Sequence, residues 1–270
     1  MLGIAAAICW GAPDVWLAQA ARSVGPLALL FGSLLIGLLL LAPGAAFIDP
    51  PEWTLRGVLL AVGVGAFSAL AYRVGFEAFR EGAVAIVAPI IACEGAVAAV
   101  FAIAAGERLG IAVAGFLPVA VVGVVLAAMG RGGGKAAVLP AVVAALMWGG
   151  ILVLSAPVAE DLGVYWGFLL IRVSALAAAL PFALRTGAVT SWIGDPWRVA
   201  AWGVGDSVAY LLFVTAADRG PVAVASVLAA QFATVAVVAG MLSGERPLPR
   251  QRIGIALVIV AVTGIAATGG

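Results

Sequence analysis

Histidine is absent from the 270 residues, which removes the commonest general base and metal ligand. Charge is scarce too: 14 Lys and Arg against 13 Asp and Glu leave a net charge of +1, so nothing favours a nucleic-acid partner. The sole lysine, Lys135, sits in a Gly-rich stretch outside the apolar runs, which argues against a retinal-type Schiff base. No P-loop spacing is present, so ATP-driven pumping by this chain alone is disfavoured. Hydroxyls such as Ser155 and Ser207 have no evident base to activate them, which counts against a membrane enzyme. Cys9 and Cys93 both fall inside apolar runs and read as small buried hydrophobes rather than a disulfide. No cofactor and no metal site is expected.

What is abundant is apolar: 65% of residues are hydrophobic, only 10% are charged, and mean hydropathy is +1.22. A soluble domain of that composition would expose more apolar surface than water tolerates. Crossing a hydrocarbon core of about 30 Å takes about 20 apolar residues per helix. Charges and Gly/Pro clusters divide the chain into ten such spans, at about 2–20, 25–47, 56–79, 82–105, 110–129, 137–158, 163–184, 198–217, 221–243 and 252–268. The first run has no basic region ahead of it and carries Asp14, so it reads as a helix rather than a cleaved signal. The fold class is therefore all-α integral membrane, with the lipid bilayer as a partner.

The two halves resemble each other. At a constant shift of 138 residues, Trp10-Gly11 meets Trp148-Gly149, Ala71-Tyr72 meets Ala209-Tyr210, and Gly106-Glu107-Arg108 meets Gly244-Glu245-Arg246. Trp and charged residues are rare here, so these matches carry more weight than those of Ala or Val. The organisation expected is a first five-helix repeat at 1–130, a Gly-rich hinge at 131–136 and a second repeat at 137–270. An odd number of spans per repeat makes the second copy enter the membrane from the opposite side. Such inverted repeats are a common transporter architecture, with the substrate held near the bilayer midplane.

Trp10-Gly11, Trp148-Gly149 and the two Gly-Glu-Arg motifs resemble the drug/metabolite transporter superfamily, specifically its EamA-type ten-helix members, over about 2–268 of the chain. The resemblance implies a central cavity lined by helices 1–4 and 6–9, with the fifth helix of each repeat outside it. It also implies movement of amino acids, other metabolites or cationic drugs, often as export. Asp14 departs from the family pattern, in which an uncharged polar residue is common at this place.

Ionisable groups at membrane depth are costly and therefore candidates for function. Six fall within the spans: Asp14, Arg73, Glu77, Glu94, Arg172 and Asp206. Arg73 and Glu77, four apart on one helix face, suggest an ion pair or a gate. Arg172 needs an acidic partner or an anionic ligand group. Asp206 lies on a stripe with Trp202 and Tyr210, suited to a cation, or to interfacial aromatics around a hydrogen-bonded acid. Asp14 shares a face with Trp10, and Glu94 follows Pro89, which should weaken its helix and free a carbonyl. Four acids against two arginines leave two negative charges uncompensated in a low dielectric, which protonation or a cationic ligand would relieve. The Gly-Glu-Arg motifs read as solvated helix ends or as matched gating contacts.

The function expected is a secondary transporter, working as an exporter of small polar metabolites such as amino acids, by alternating access and coupled to protons. A zwitterion such as an amino acid would fit with Arg172 on its carboxylate and Asp206 on its amine; the rival cargo is an aromatic or quaternary cation. A channel or membrane scaffold is the alternative from another class. A monomer in a bacterial or archaeal cytoplasmic membrane is expected. With the N-terminus inside, three arginines would fall in inner loops and nine basic residues in outer ones, so the positive-inside rule favours both termini outside. The family resemblance implies both in the cytoplasm.

Overall fold

The computed structural model describes residues 1–82, 84–128, 135–242 and 248–268. Most of the expected hinge and the whole of Gly244-Glu245-Arg246 lie outside the described residues. Every regular element described is helical: α1 (Leu2–Ser23), α2 (Pro26–Leu41), α3 (Leu55–Glu81), α4 (Val84–Ile91), α5 (Glu94–Ala104), α6 (Ile111–Ala128), α7 (Lys135–Leu162), α8 (Val164–Thr186), the single turn α9 (Ala188–Ser191), α10 (Pro196–Asp218), α11 (Val222–Ala229), α12 (Phe232–Leu242) and α13 (Pro249–Thr268). Among the described residues, five helices are long and apolar enough to cross a membrane: Pro26–Ala46, Leu55–Glu81, Ala136–Leu162, Val164–Thr186 and Pro196–Asp218.

Local chemistry sets several of the helix starts. Gly25 and Gly163, 138 residues apart, take φ of 82° and 72°, a backbone that side-chain-bearing residues avoid. Each turns the chain within one or two residues, α1 into α2 and α7 into α8. Pro26 then occupies the first helical position, where its missing N–H costs nothing. Thr54 caps α3 by accepting from the Gly57 N–H at 3.0 Å.

Two expected spans, 82–105 and 221–243, are each a pair of helices, interrupted at Ala92–Cys93 and at Ala230–Gln231. Pro89 is not what the break requires, because the second copy has Val227 at the matching position and breaks at the same place. At each break the ladder tightens: the Cys93 N–H donates to Ile90 O at 3.2 Å, and the Gln231 N–H to Leu228 O at 3.3 Å. Such three-residue closures disturb the regular pattern of carbonyl pairing. The Gln231 side chain answers by donating to Val227 O at 2.9 Å. The two breaks also touch, since a Cβ at Gly95 would lie 2.5 Å from the Ala230 Cβ.

Packing between helices follows the same shift of 138. α1 lies along α10 as α7 lies along α3; α12 packs on α1 as α5 packs on α7; α6 pairs with α13 and α2 with α8. The Trp-Gly motif now has a physical reason. A Cβ at Gly11 would sit 2.4 Å from Phe232 O and 2.7 Å from the Val235 Cβ; one at Gly149 would sit 2.5 Å from Val97 Cγ1 and 3.0 Å from Glu94 O. Each glycine thus lets the helix after a break cross its neighbour at backbone distance, the use that membrane helices make of small residues.

Candidate functional site

Where these crossings converge, α1, α3, α4, α5, α7, α10 and α12 surround a cavity of about 490 Å³, its open mouth included. Three carboxyls line it, Asp14, Glu94 and Asp206, with seven aromatic side chains: Trp10, Tyr72, Phe76, Phe79, Trp148, Trp202 and Phe232. Among the described residues, no basic side chain lines it. The lining reaches Leu17 on α1 and Phe79 on α3, so the cavity extends toward the end of the bundle where those two helices finish.

Antiparallel α1 and α10 exchange matched contacts across this space. Trp10 Nε1 donates to Asp206 Oδ1 at 2.9 Å, and Trp202 Nε1 donates to Asp14 Oδ1 at 3.1 Å. In both helices the Trp and the Asp are four residues apart, which sets them one above the other on one face. Asp206 collects more. The Tyr72 hydroxyl reaches both of its oxygens, at 2.9 and 2.8 Å, and Arg172 NH2 donates to Oδ2 in a fully buried ion pair. Behind that pair, Arg172 is enclosed by aromatic faces, its guanidinium carbon 4.8 Å from the Phe168 centroid, 5.7 Å from Tyr72 and 5.8 Å from Tyr210. Phe168 stacks on Tyr210 at 4.7 Å, and the Tyr210 hydroxyl is hydrogen-bonded to Ser155. A buried guanidinium so surrounded is neutralised by its carboxylate and by ring quadrupoles.

Of the residues singled out from sequence, Trp10, Asp14, Glu94, Trp202 and Asp206 meet in the cavity lining. Arg172 and Tyr210 do not; they line a smaller void with Ser68 and Leu34. Arg172, for which sequence left an acidic partner and an anionic ligand group both open, holds Asp206, because α8 and α10 turn those faces toward each other. Arg73 and Glu77 form the expected ion pair at 2.7 Å, but Glu77 also binds Arg80, and the cluster is partly exposed and apart from the cavity lining. Tyr72, Phe76, Trp148 and Phe232 escaped the sequence reading. Two of them left a trace in it, since Trp148 belongs to the repeated Trp-Gly and Tyr72 is the 138-residue counterpart of Tyr210.

The first Gly-Glu-Arg motif is not simply a solvated helix end. Glu107 accepts from the N–H groups of Val222 at 3.1 Å and Ala223 at 3.2 Å, so an acid from the first half caps α11 of the second. At the end of the bundle where α1 stops, Asp195 accepts from Ser23 and from Arg198, both at 2.8 Å. Burial by itself would raise the Asp195 carboxyl, but those hydrogen bonds and the Arg198 charge hold it below its usual range.

Around the cavity, three acids face one arginine, and Arg172 is committed to Asp206. Asp14 and Glu94 are each about 95% buried with no basic partner among the described residues. The geometry therefore offers negative charge and aromatic faces, and no group to receive an anion.

A model of the EamA-like transporter family matches this chain twice, over residues 1–129 and 135–267. No functionally curated protein matches it significantly. One protein solved by crystallography superposes with a TM-score of 0.75 over 100% of this chain and 98% of its own, at 21% identity, a likeness of fold alone. Two successive family matches account for nearly every residue of an apolar, all-helical chain whose breaks and crossings recur at the same shift, and by them it belongs to the EamA-like transporter family as a multi-pass membrane transporter.

Proposed function

We propose that the protein is a secondary transporter for a small molecule bearing a cationic organic group, working by alternating access and coupled to protons. Its units are the repeats at 1–130 and 137–270, joined through 131–136 and inverted relative to each other in a bacterial or archaeal cytoplasmic membrane. The observation that carries the cargo class is the cavity lining: three carboxyls and seven aromatic side chains with no basic side chain among the described residues. An ammonium gains from both the carboxylates and the ring faces, whereas an anion would meet only repulsion. An amino acid could place its amine here, but its carboxylate lacks the partner that Arg172 would have supplied, and the cation takes precedence on that ground. Alternating access is supported by the shift of 138. The counterparts of cavity residues Tyr72 and Asp206 are Tyr210 and Ser68, and these line the smaller void together with Arg172. Direction outward follows only from the family resemblance.

Counterflow in proteoliposomes tests this reading. Labelled aromatic quaternary ammonium should exchange against the same compound inside, competed by primary amines and not by dicarboxylates. Equal competition by anions would remove the cargo class, and absence of counterflow with any of the three would favour a channel or scaffold. For proton coupling, Asp14→Asn, Glu94→Gln and Asp206→Asn should each be compared under an imposed pH gradient. Full gradient-driven uptake by all three would end that part of the proposal.

A further inference from the structure

The three cavity carboxyls are not equivalent in their bonding. Both oxygens of Asp206 are engaged, by Trp10, by the Tyr72 hydroxyl and by the buried Arg172 guanidinium. A proton added there would leave a buried guanidinium without its counter-charge. Asp14 accepts one hydrogen bond, from Trp202. Glu94, 5% exposed, lines the cavity and receives no hydrogen bond from the described residues. An ionised carboxylate carries about four acceptor sites, which at Glu94 are left to the cavity side alone, and a charge so poorly solvated at membrane depth is costly.

Glu94 is also placed where backbone polarity is unusual. It opens α5 directly after the Ala92–Cys93 break, beside the point where the breaks of the two halves touch. The titratable groups that share the cavity with it are Asp14 from α1, Tyr72 from α3 and Asp206 from α10, and Cys93 precedes it in the chain. α6, α11 and α12 contain no titratable side chain, and those of α7 lie at its two ends. Every ionised neighbour that faces Glu94 is therefore an acid; the arginine of the network reaches it only through Asp206.

We infer that the cavity acids divide their roles: Glu94 is the group that exchanges a proton for the cationic cargo, while Asp206 is a permanently paired positioning residue that ties α1 and α3 to α8 and α10. In the empty cavity Glu94 holds a proton taken from cavity water. When an ammonium arrives, the Glu94 O–H bond breaks, the proton leaves to water, and the carboxylate pairs with the cation, so one positive charge replaces another with no redox change. This assignment rests on the transport reading above and deepens it.

Infrared difference spectroscopy on the purified full-length protein, stepped from acidic to alkaline pH, tests the assignment without any substrate. The carbonyl stretch of a protonated carboxylic acid in an apolar site should disappear as the pH rises in the wild type. It should be missing throughout from Glu94→Gln. The double variant Asp14→Asn/Glu94→Gln, which keeps Asp206 as the last cavity acid, should lack it as well, with its fold checked by thermal melting. Persistence of the band in the double variant, its loss in Asp14→Asn alone while Glu94→Gln retains it, or its absence from the wild type would each overturn the assignment. Because no transport is measured, failed counterflow with an intact Glu94 band would overturn the transport reading, and with it the exchange for cargo, while leaving Glu94 as the protonated acid; loss of the band with intact counterflow would overturn the assignment to Glu94 alone.

Discussion

Replacing Arg172 with methionine separates a structural arginine from a substrate-binding one. In the fold, Arg172 is 2% exposed and paired with Asp206. Its removal leaves Asp206 buried with only the Trp10 and Tyr72 donors. Breaking one side of a buried pair costs about 3–5 kcal/mol, because the remaining charge is uncompensated. In a chain of this size each kcal/mol moves the melting temperature by about 2–4 °C, so Arg172→Met should melt roughly 6–20 °C lower in detergent. Arg172→Met/Asp206→Asn removes both charges and should recover most of that loss, since replacing a whole buried pair is often nearly neutral. The assay is a thermal melt of purified protein followed by size-exclusion chromatography, run for wild type, both single variants and the double. Were Arg172→Met to melt within about 2 °C of wild type, or the double to fall as far as the sum of the singles, the arginine would not be holding the fold through Asp206. A ligand-facing arginine would then return as the better reading.

Three further outcomes follow from particular contacts. Gly11→Ala places a methyl 2.4 Å from Phe232 O, so α1 and α12 must separate; overpacking of this kind costs about 1–3 kcal/mol, read as a lower melting temperature, and Gly149→Ala should behave alike. Glu107→Gln keeps a hydrogen-bond acceptor at α11 but loses the charge that favours a helix N-terminus, a loss of about 0.3–1 kcal/mol visible in denaturant or thermal midpoints. Asp195, held below the usual carboxylate range by Arg198 and Ser23, contributes stability that is present above the unfolded-state value and is lost as pH falls through the folded one. Wild type should therefore lose melting temperature on acidification more steeply than Asp195→Asn, and parallel curves would refute that contribution.

Composition alone was enough to place the chain in the bilayer, because no soluble fold can hide so apolar a sequence, and the repeated Trp-Gly and Gly-Glu-Arg motifs were enough to point to the family. The cost of charge at membrane depth also made Asp14, Glu94, Arg172 and Asp206 legible one by one. What sequence could not reveal was who meets whom. Whether Arg172 faces cargo or Asp206 depends on how α8 and α10 are rotated against each other, and hydropathy is nearly blind to rotation when a helix is apolar all round. The break in the ninth expected span was hidden, since Val227 gives no local signal, whereas Pro89 had pointed to a weakened helix in the fourth. Tertiary packing decided both, by bringing the two interrupted segments into contact and by surrounding one acid with donors while leaving Glu94 with none.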